Sequence, residues 1–146
     1  MPSRTSVLFL CTGNSCRSQM AEAWTRARHG DRIDVASAGV EPGLSIDPRA
    51  LQVMREVGLT MSGQRPKHVR ELEARSFDLV VTVCDHAHET CPVLPGAKRV
   101  LHHGFDDPPR VAARASREEE ALEPYRRVRD EIRAWIDDLV GSGLES

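Results

Sequence analysis

The chain has 146 residues, with 20 basic against 22 acidic side chains for a formal net charge of -2. That length suits one domain, residues 1–146, with one ordinary core. The charge balance excludes a bulk basic face for nucleic acid and a polybasic membrane patch, so a small anion has to be attracted locally. No apolar run approaches the roughly 20 residues of a membrane span. Met1-Pro2-Ser3-Arg4-Thr5 enters the first apolar run without the long hydrophobic region of a secretory signal. A cytoplasmic, reducing compartment is expected, where the four cysteines suit catalytic, metal-binding or redox-switching roles better than permanent cross-links.

In chain order, Val7-Leu8-Phe9-Leu10 reads as a first strand ending at Leu10. The polar loop Cys11-Thr12-Gly13-Asn14-Ser15-Cys16 follows. A helix then opens at Arg17 and Ser18, carries Met20, Trp24 and Ala27 at helical spacing, and runs to about Arg28 with Gly30 as its stop. Ile33 to Ala38 is a second strand ended by Gly39. Asp47-Pro48 reads as an N-cap with proline at the first helical position, and Leu51, Met54 and Val57 share a face up to Gly58. Gly63 to His68 is a polar turn around Pro66, and Val69 to Arg75 a short helix. Phe77 to Val83 is a near-continuous apolar run, as in a strand covered on both faces, and it ends in Cys84. Lys98 to Leu101 is a short fourth strand that delivers His102 to Pro108 to the same end of the sheet. Pro109 to Pro124 reads as a long charged connection, with Glu118-Glu119-Glu120 as a solvated face. The last helix presents Tyr125, Val128, Ile132, Trp135, Ile136 and Leu139 on one side, stops at Gly141, and packs without doing chemistry. This alternation predicts an α/β fold with a parallel sheet.

The loop after the first strand is the chemically informative stretch. Its backbone N–H groups and those at the helix start can converge on one point and favour negative charge there. Gly13 is expected to permit the backbone conformation that aims them. Cys11 sits at the mouth of that field, where a thiol pKa falls below its usual value of about 8.5. Arg17, after five intervening residues, can fork onto the oxygens of a bound tetrahedral anion. A buried cysteine beside a surface arginine is the plainer reading, but strand, loop and helix contexts all favour the anion site. In an open parallel sheet the ligand site lies beyond the strands' carboxyl ends, at a topological switch point. Cys11, Cys84 and Asp107 each fall just after such an end.

The stretch from Cys84 to Cys91 admits three readings on residues alone: a redox pair, two inert thiols, or a metal site with His86, His88, His102 and His103 as further ligands. Cys-x6-Cys is not a short zinc knuckle, and His86 and His88 do not share the i, i+4 spacing of helical ligands. Pairing the two sulfurs requires flexible backbone between them.

The run Cys11-Thr12-Gly13-Asn14-Ser15-Cys16-Arg17-Ser18-Gln19-Met20-Ala21-Glu22 closely resembles the phosphate loop of the low-molecular-weight protein tyrosine phosphatase superfamily. Gln19, where the phosphatases usually carry proline, is similar to the superfamily's thioredoxin-coupled arsenate reductase branch. The likeness continues through Ser37-Ala38-Gly39, Val80-Val81-Thr82-Val83-Cys84, Cys91-Pro92, Gly104-Phe105-Asp106-Asp107-Pro108 and Arg127-Val128-Arg129-Asp130-Glu131-Ile132, so it covers nearly the whole chain. It implies a three-layer domain with about four parallel strands.

It also implies reduction of arsenate to arsenite in the service of arsenic detoxification, with phosphate or sulfate as substrate analogues. Residues Thr12 to Ser18 would hold the oxyanion, Cys11 would be the nucleophile and Arg17 the clamp. Asp107, just before proline, would be the general acid, with Asp106 second. Cys84 and Cys91 would carry the disulfide away from Cys11 to reduced thioredoxin, with no other cofactor and no resident metal. Ser18 would donate to the Cys11 thiolate, Asn14 would fix the loop, and Cys16 would only pack. In some relatives Asn14, Glu22 and Ser37 belong to a potassium site completed by an aspartate. Here the corresponding stretch, Gln64-Arg65-Pro66-Lys67-His68, has no acid, which argues against potassium, and a lysine ammonium is expected in its place. A monomer is expected.

A phosphomonoesterase uses the same cup, but the paired cysteines and Asp107-Pro108-Pro109, where tyrosine phosphatases have Asp-Pro-Tyr, make that a side activity. A metal or arsenite sensor with thiols as soft ligands is disfavoured, because no DNA-reading helix with a basic face accompanies them.

Overall fold

In a computed structural model of the protein, residues 4–83 and 96–144 are described. The chain forms β1 (Thr5–Cys11), α1 (Arg17–His29), β2 (Ile33–Gly39) and α2 (Pro48–Glu56). After a 3-10 turn at Val69–Leu72 come β3 (Leu79–Thr82), β4 (Val100–His102), α3 (Pro108–Ala112) and α4 (Glu118–Gly141).

All pairings in the sheet are parallel, in the order β2-β1-β3-β4. Val7, Leu8, Phe9 and Leu10 are each no more than 1% exposed, as continuous apolar strands become when helices cover both sides of a sheet. The register places Cys11 opposite Gly39, Leu10 opposite Thr82, and Thr82 opposite His102. The carboxyl ends of the four strands are therefore level. The chain leaves β1 toward β2 on one side and β3 lies on the other, which puts the switch point at the loop after Cys11.

The third strand is shorter than the apolar run suggests. Asp78 N donates to Ser6 O at 2.9 Å, but the Ser6 N–H goes to the Asp78 side chain at 2.8 Å, and Phe77 makes only an isolated bridge to Ala97. The short helix expected over Val69 to Arg75 is a single 3-10 turn, capped by His68 Nδ1 accepting from Arg70 N at 3.0 Å.

The charged connection expected from Pro109 to Pro124 is largely helical. It forms α3 and the first turns of α4, with Pro124 buried inside α4. An interior proline forfeits one helical hydrogen bond, so in sequence Pro124 reads as the boundary before the last helix. Here it lies against the core, and Glu118, Glu119 and Glu120 occupy the first turn of α4, where carboxylates complement the helix dipole.

α4 packs against α1, α2 and α3. The buried Arg129 donates to Val53 O and to Glu56 Oε1, both at 2.9 Å, and its own carbonyl accepts from Trp24 Nε1 at 3.0 Å. Asp47 joins three elements: Oδ1 caps α2 by accepting from Arg49 N at 2.9 Å, its N–H donates to Ser15 O at 2.8 Å, and Oδ2 accepts from the Tyr125 hydroxyl. Burial and the Asp47 carboxylate hold the Tyr125 phenol well above its ordinary pKa.

Tyr125→Phe is expected to cost about 1 kcal/mol. Asp47→Ala is expected to cost about 2 kcal/mol, because it removes a cap and leaves the hydroxyl without its acceptor. The double variant should lose less than the sum in urea unfolding. Strict additivity would show that the pair does not couple.

Candidate active site

Between β1 and α1 the chain turns all six carbonyls from Cys11 to Cys16 outward. Cys11 O accepts from Val40 N at 3.3 Å, Thr12 O from Glu41 N at 2.9 Å, Gly13 O from Gly43 N at 2.9 Å, and Ser15 O from Asp47 N at 2.8 Å. Asn14 O accepts from Gln19 Nε2 and Cys16 O from Met20 N, both at 2.9 Å. No hydrogen bond among the described residues takes up the N–H groups of Gly13, Asn14, Ser15 and Cys16. A loop whose acceptors are all engaged on its outer side presents its donors inward, as an anion cradle requires.

The left-handed residue of this bend is Asn14, at φ 49, and not Gly13, whose φ is not positive. Asn14 tolerates that conformation better than most side chains, and its amide secures it. Nδ2 donates to Ser18 Oγ at 2.8 Å, and Oδ1 accepts from Lys67 N at 3.0 Å, with the side chain fully buried. Gly39, which in sequence reads only as a strand end, is a second requirement. A Cβ there would lie 2.5 Å from Thr12 O and 3.1 Å from Asn14 N, so only glycine lets β2 pass the loop.

Arg17 begins α1 and is mostly buried. Nη1 donates to Phe105 O at 2.9 Å, and Nη2 stands 3.6 Å from Asp107 Oδ1. Its Nε is buried and has no partner among the described residues. A buried donor left unmatched is costly unless something pairs with it; an oxyanion in the loop is such a group. Asp107 heads α3 with its side chain 43% exposed. Asp106 is bound at 2.9 Å to Arg127 on α4, so Asp107 is the carboxylate that faces the clamp. An open cleft runs from Thr12 and Arg17 past Glu41 and Phe105 to Asp107 and Arg110.

Cys11 closes β1 at 4% exposure. Burial, assisted by Asp47, pushes the Cys16 thiol up, which keeps it protonated and fits a packing role. Ser18 receives the Asn14 amide on its oxygen, so its own proton remains for donation. Gln19 is fully buried and clasped by Gln64, whose Nε2 donates to Gln19 Oε1 at 2.8 Å and to Gln19 O at 3.1 Å. Neither Gln64 nor Gly39 is marked by residue type as part of an anion site. Their roles arise from contacts distant in sequence.

The Glu22 carboxylate accepts from Ser37 Oγ at 2.6 Å and pairs with Arg26 Nη2 at 2.7 Å. The expected lysine therefore does not provide the direct counter-ion: Lys67 Nζ donates to Arg65 O at 3.2 Å. Partial burial holds Lys67 below the ordinary lysine value, while the Glu22 charge pulls the other way. With Asn14 Oδ1 taken by a backbone N–H and Glu22 by a guanidinium, these residues do not fit a potassium ion.

Cys84, Cys91, His86 and His88 lie outside the described residues. Of the other proposed metal ligands, His102 Nδ1 is hydrogen-bonded to Thr82 Oγ1 at 2.8 Å, and His103 stacks on Phe105 and Trp135 with centroids 4.6 and 4.9 Å away. Among the described residues no cluster of three or more His, Cys, Asp or Glu side chains could hold a metal, and no helix is long and apolar enough to cross a membrane.

Residues 6–142 match the family model for low molecular weight phosphotyrosine protein phosphatase. An arsenate reductase of Halalkalibacterium halodurans is 44% identical over 94% of this chain and 96% of its own length. Among solved structures, an arsenate reductase in the phosphate-binding state superposes with a TM-score of 0.75 at 28% identity, covering 94% of this chain and 98% of its own. A thioredoxin-dependent arsenate reductase of Corynebacterium glutamicum superposes with a TM-score of 0.67 at 28% identity, covering 96% of this chain and 64% of its own. With the phosphate loop, its clamp and the level strand ends in place, the chain belongs to the low molecular weight phosphotyrosine protein phosphatase family, beside that family's arsenate reductases.

Proposed function

We propose that this protein reduces arsenate to arsenite through a cysteine thiolate and an internal disulfide relay. The observation that carries the proposal is the inward-facing loop, followed by an arginine whose buried Nε has no partner among the described residues and whose Nη2 stands 3.6 Å from the carboxylate of Asp107. The high identity to arsenate reductases and the two further cysteines at 84 and 91 select arsenate over other tetrahedral oxyanions.

Arsenate binds on the loop N–H groups and the free edge of Arg17. The Cys11 thiolate attacks arsenic while Asp107 gives a proton to the departing oxygen, which leaves as water. Negative charge gathers on the remaining oxygens, against donors already fixed in place. The Cys84 thiolate then attacks the Cys11 sulfur. A Cys11–Cys84 disulfide forms, the S–As bond breaks, and its electron pair stays on arsenic, which leaves as arsenite. Cys91 exchanges onto Cys84 and frees Cys11. A dithiol protein of the thioredoxin kind, as used by the Corynebacterium relative, reduces the Cys84–Cys91 bond and completes the cycle.

Hydrolysis of aryl phosphates is a second activity of the same cup, supported by the family match. It needs Cys11, Arg17 and Asp107 but neither distal cysteine. Cys84→Ser is therefore expected to abolish arsenate-dependent NADPH oxidation in the presence of thioredoxin and its reductase, while retaining aryl phosphate hydrolysis. Retention of both activities would sink the relay.

Asp107→Asn should lower kcat by about 100-fold or more, the usual scale of general acid catalysis. Asp106→Asn should leave kcat near wild type. An equal loss in both would place the acid elsewhere.

Because Arg26 and Ser37 occupy Glu22, exchanging sodium for potassium at fixed ionic strength should change neither kcat/KM nor Tm. A potassium-specific rise in either would show that the cation displaces the guanidinium.

A further inference from the structure

We infer that Arg110 and Arg114 form an outer capture site for the substrate dianion, a station passed before the oxyanion reaches the phosphate loop. The two lie one helical turn apart, on α3 and just beyond it, and both line the cleft that leads to Arg17 and Asp107. Both are exposed, and neither guanidinium has an ion pair or hydrogen bond among the described residues. Arg17, the third arginine of the cleft, is tied to Phe105 O, and the cleft's Asp106 is held by Arg127.

The charge balance gives the pair its purpose. The whole chain carries -2 and by itself repels a doubly charged oxyanion. Asp106 is paired with Arg127, so among the described residues that line the cleft three guanidinium groups, Arg17, Arg110 and Arg114, stand against the carboxylates of Glu41 and Asp107. The local sign is therefore opposite to the global one. A cleft of one sign with low-dielectric walls concentrates counter-charged ligands and raises their on-rate. Arg17 is too buried to act at a distance, since its side chain is 12% exposed. Arg110 and Arg114, both exposed, meet an approaching anion ahead of Arg17, and Glu41 opposes it from the same lining.

The inference takes its anion from the arsenate-reducing reading, but its location is tested without turnover. Cys11 is alkylated with iodoacetate, an anion, and with neutral iodoacetamide, and the modified Cys11 peptide is quantified by mass spectrometry. Arg110→Gln combined with Arg114→Gln should lower the iodoacetate rate by about three- to tenfold at low salt, within the range of electrostatic steering, and leave the iodoacetamide rate unchanged. The difference should fade at about 1 M salt, where the Debye length falls to about 3 Å. The corresponding double lysine variant should retain the wild-type ratio, and Glu41→Gln should raise it.

In the coupled assay the glutamine pair should raise KM for arsenate by a similar factor, with kcat and KM for thioredoxin unchanged. An iodoacetate to iodoacetamide ratio that the glutamine pair does not alter overturns the inference. So does a raised KM for thioredoxin with an unaltered ratio, which would make the two arginines a protein-docking site. If the wild type fails to reduce arsenate, the functional reading falls, while the alkylation ratio still decides the capture site.

Discussion

Turning six consecutive carbonyls away from one point is the constraint on which the rest of the structure depends. A bend that aims its N–H groups inward must find acceptor partners on its outside, and a buried carbonyl left unpaired costs about as much as a lost hydrogen bond. The segment from Val40 to Asp47 supplies four of the six partners, the Gln19 side chain one and the first turn of α1 the last. This explains why β2 must lie beside β1 at its carboxyl end, with Cys11 level with Gly39, and why Gly39 carries no side chain where the loop crosses it. The supporting shell then continues outward: Gln64 onto Gln19, Lys67 N onto Asn14 Oδ1, and Tyr125 onto Asp47. Each layer fixes the one inside it, so the cradle is assembled before any anion arrives and need not reorganise when charge develops.

What was legible in the sequence follows from the same division. The strand, the loop and the start of α1 are readable because their residue types announce them: an apolar run, a cysteine, a polar bend and an arginine after five intervening residues. Asp47-Pro48 was equally clear, and the side chain does cap α2. The left-handed position fell on Asn14 and not Gly13, because the residue that pays the conformational cost also makes two side-chain hydrogen bonds, and a count of glycines does not register that. Arg26, one turn after Glu22, displaced the expected lysine because i, i+4 geometry brings it to the carboxylate directly. Pro124 suggested a helix start where there is a helix interior, since burial against the core overrides a local breaker. The contacts of Gln64 with Gln19 and of Gly39 with the loop are not marked by residue type, because they arise only from tertiary approach.

Arg17 connects the loop to Asp107, the acid of the proposed mechanism. Its Nη1 is fixed by Phe105 O, and its buried Nε has no partner among the described residues. The group that would grip the oxyanion is thus the same group that sets where the Phe105 to Asp107 segment lies. From the other side Arg127 draws Asp106 toward α4. Two adjacent carboxylates are pulled in opposite directions by two arginines from different helices, and that division leaves one of them, Asp107, facing the clamp and partly open to solvent. The general acid of the proposed mechanism needs both properties, reach to the leaving oxygen and access to a proton. Asp107 combines them, standing opposite Arg17 while Asp106 is paired with Arg127.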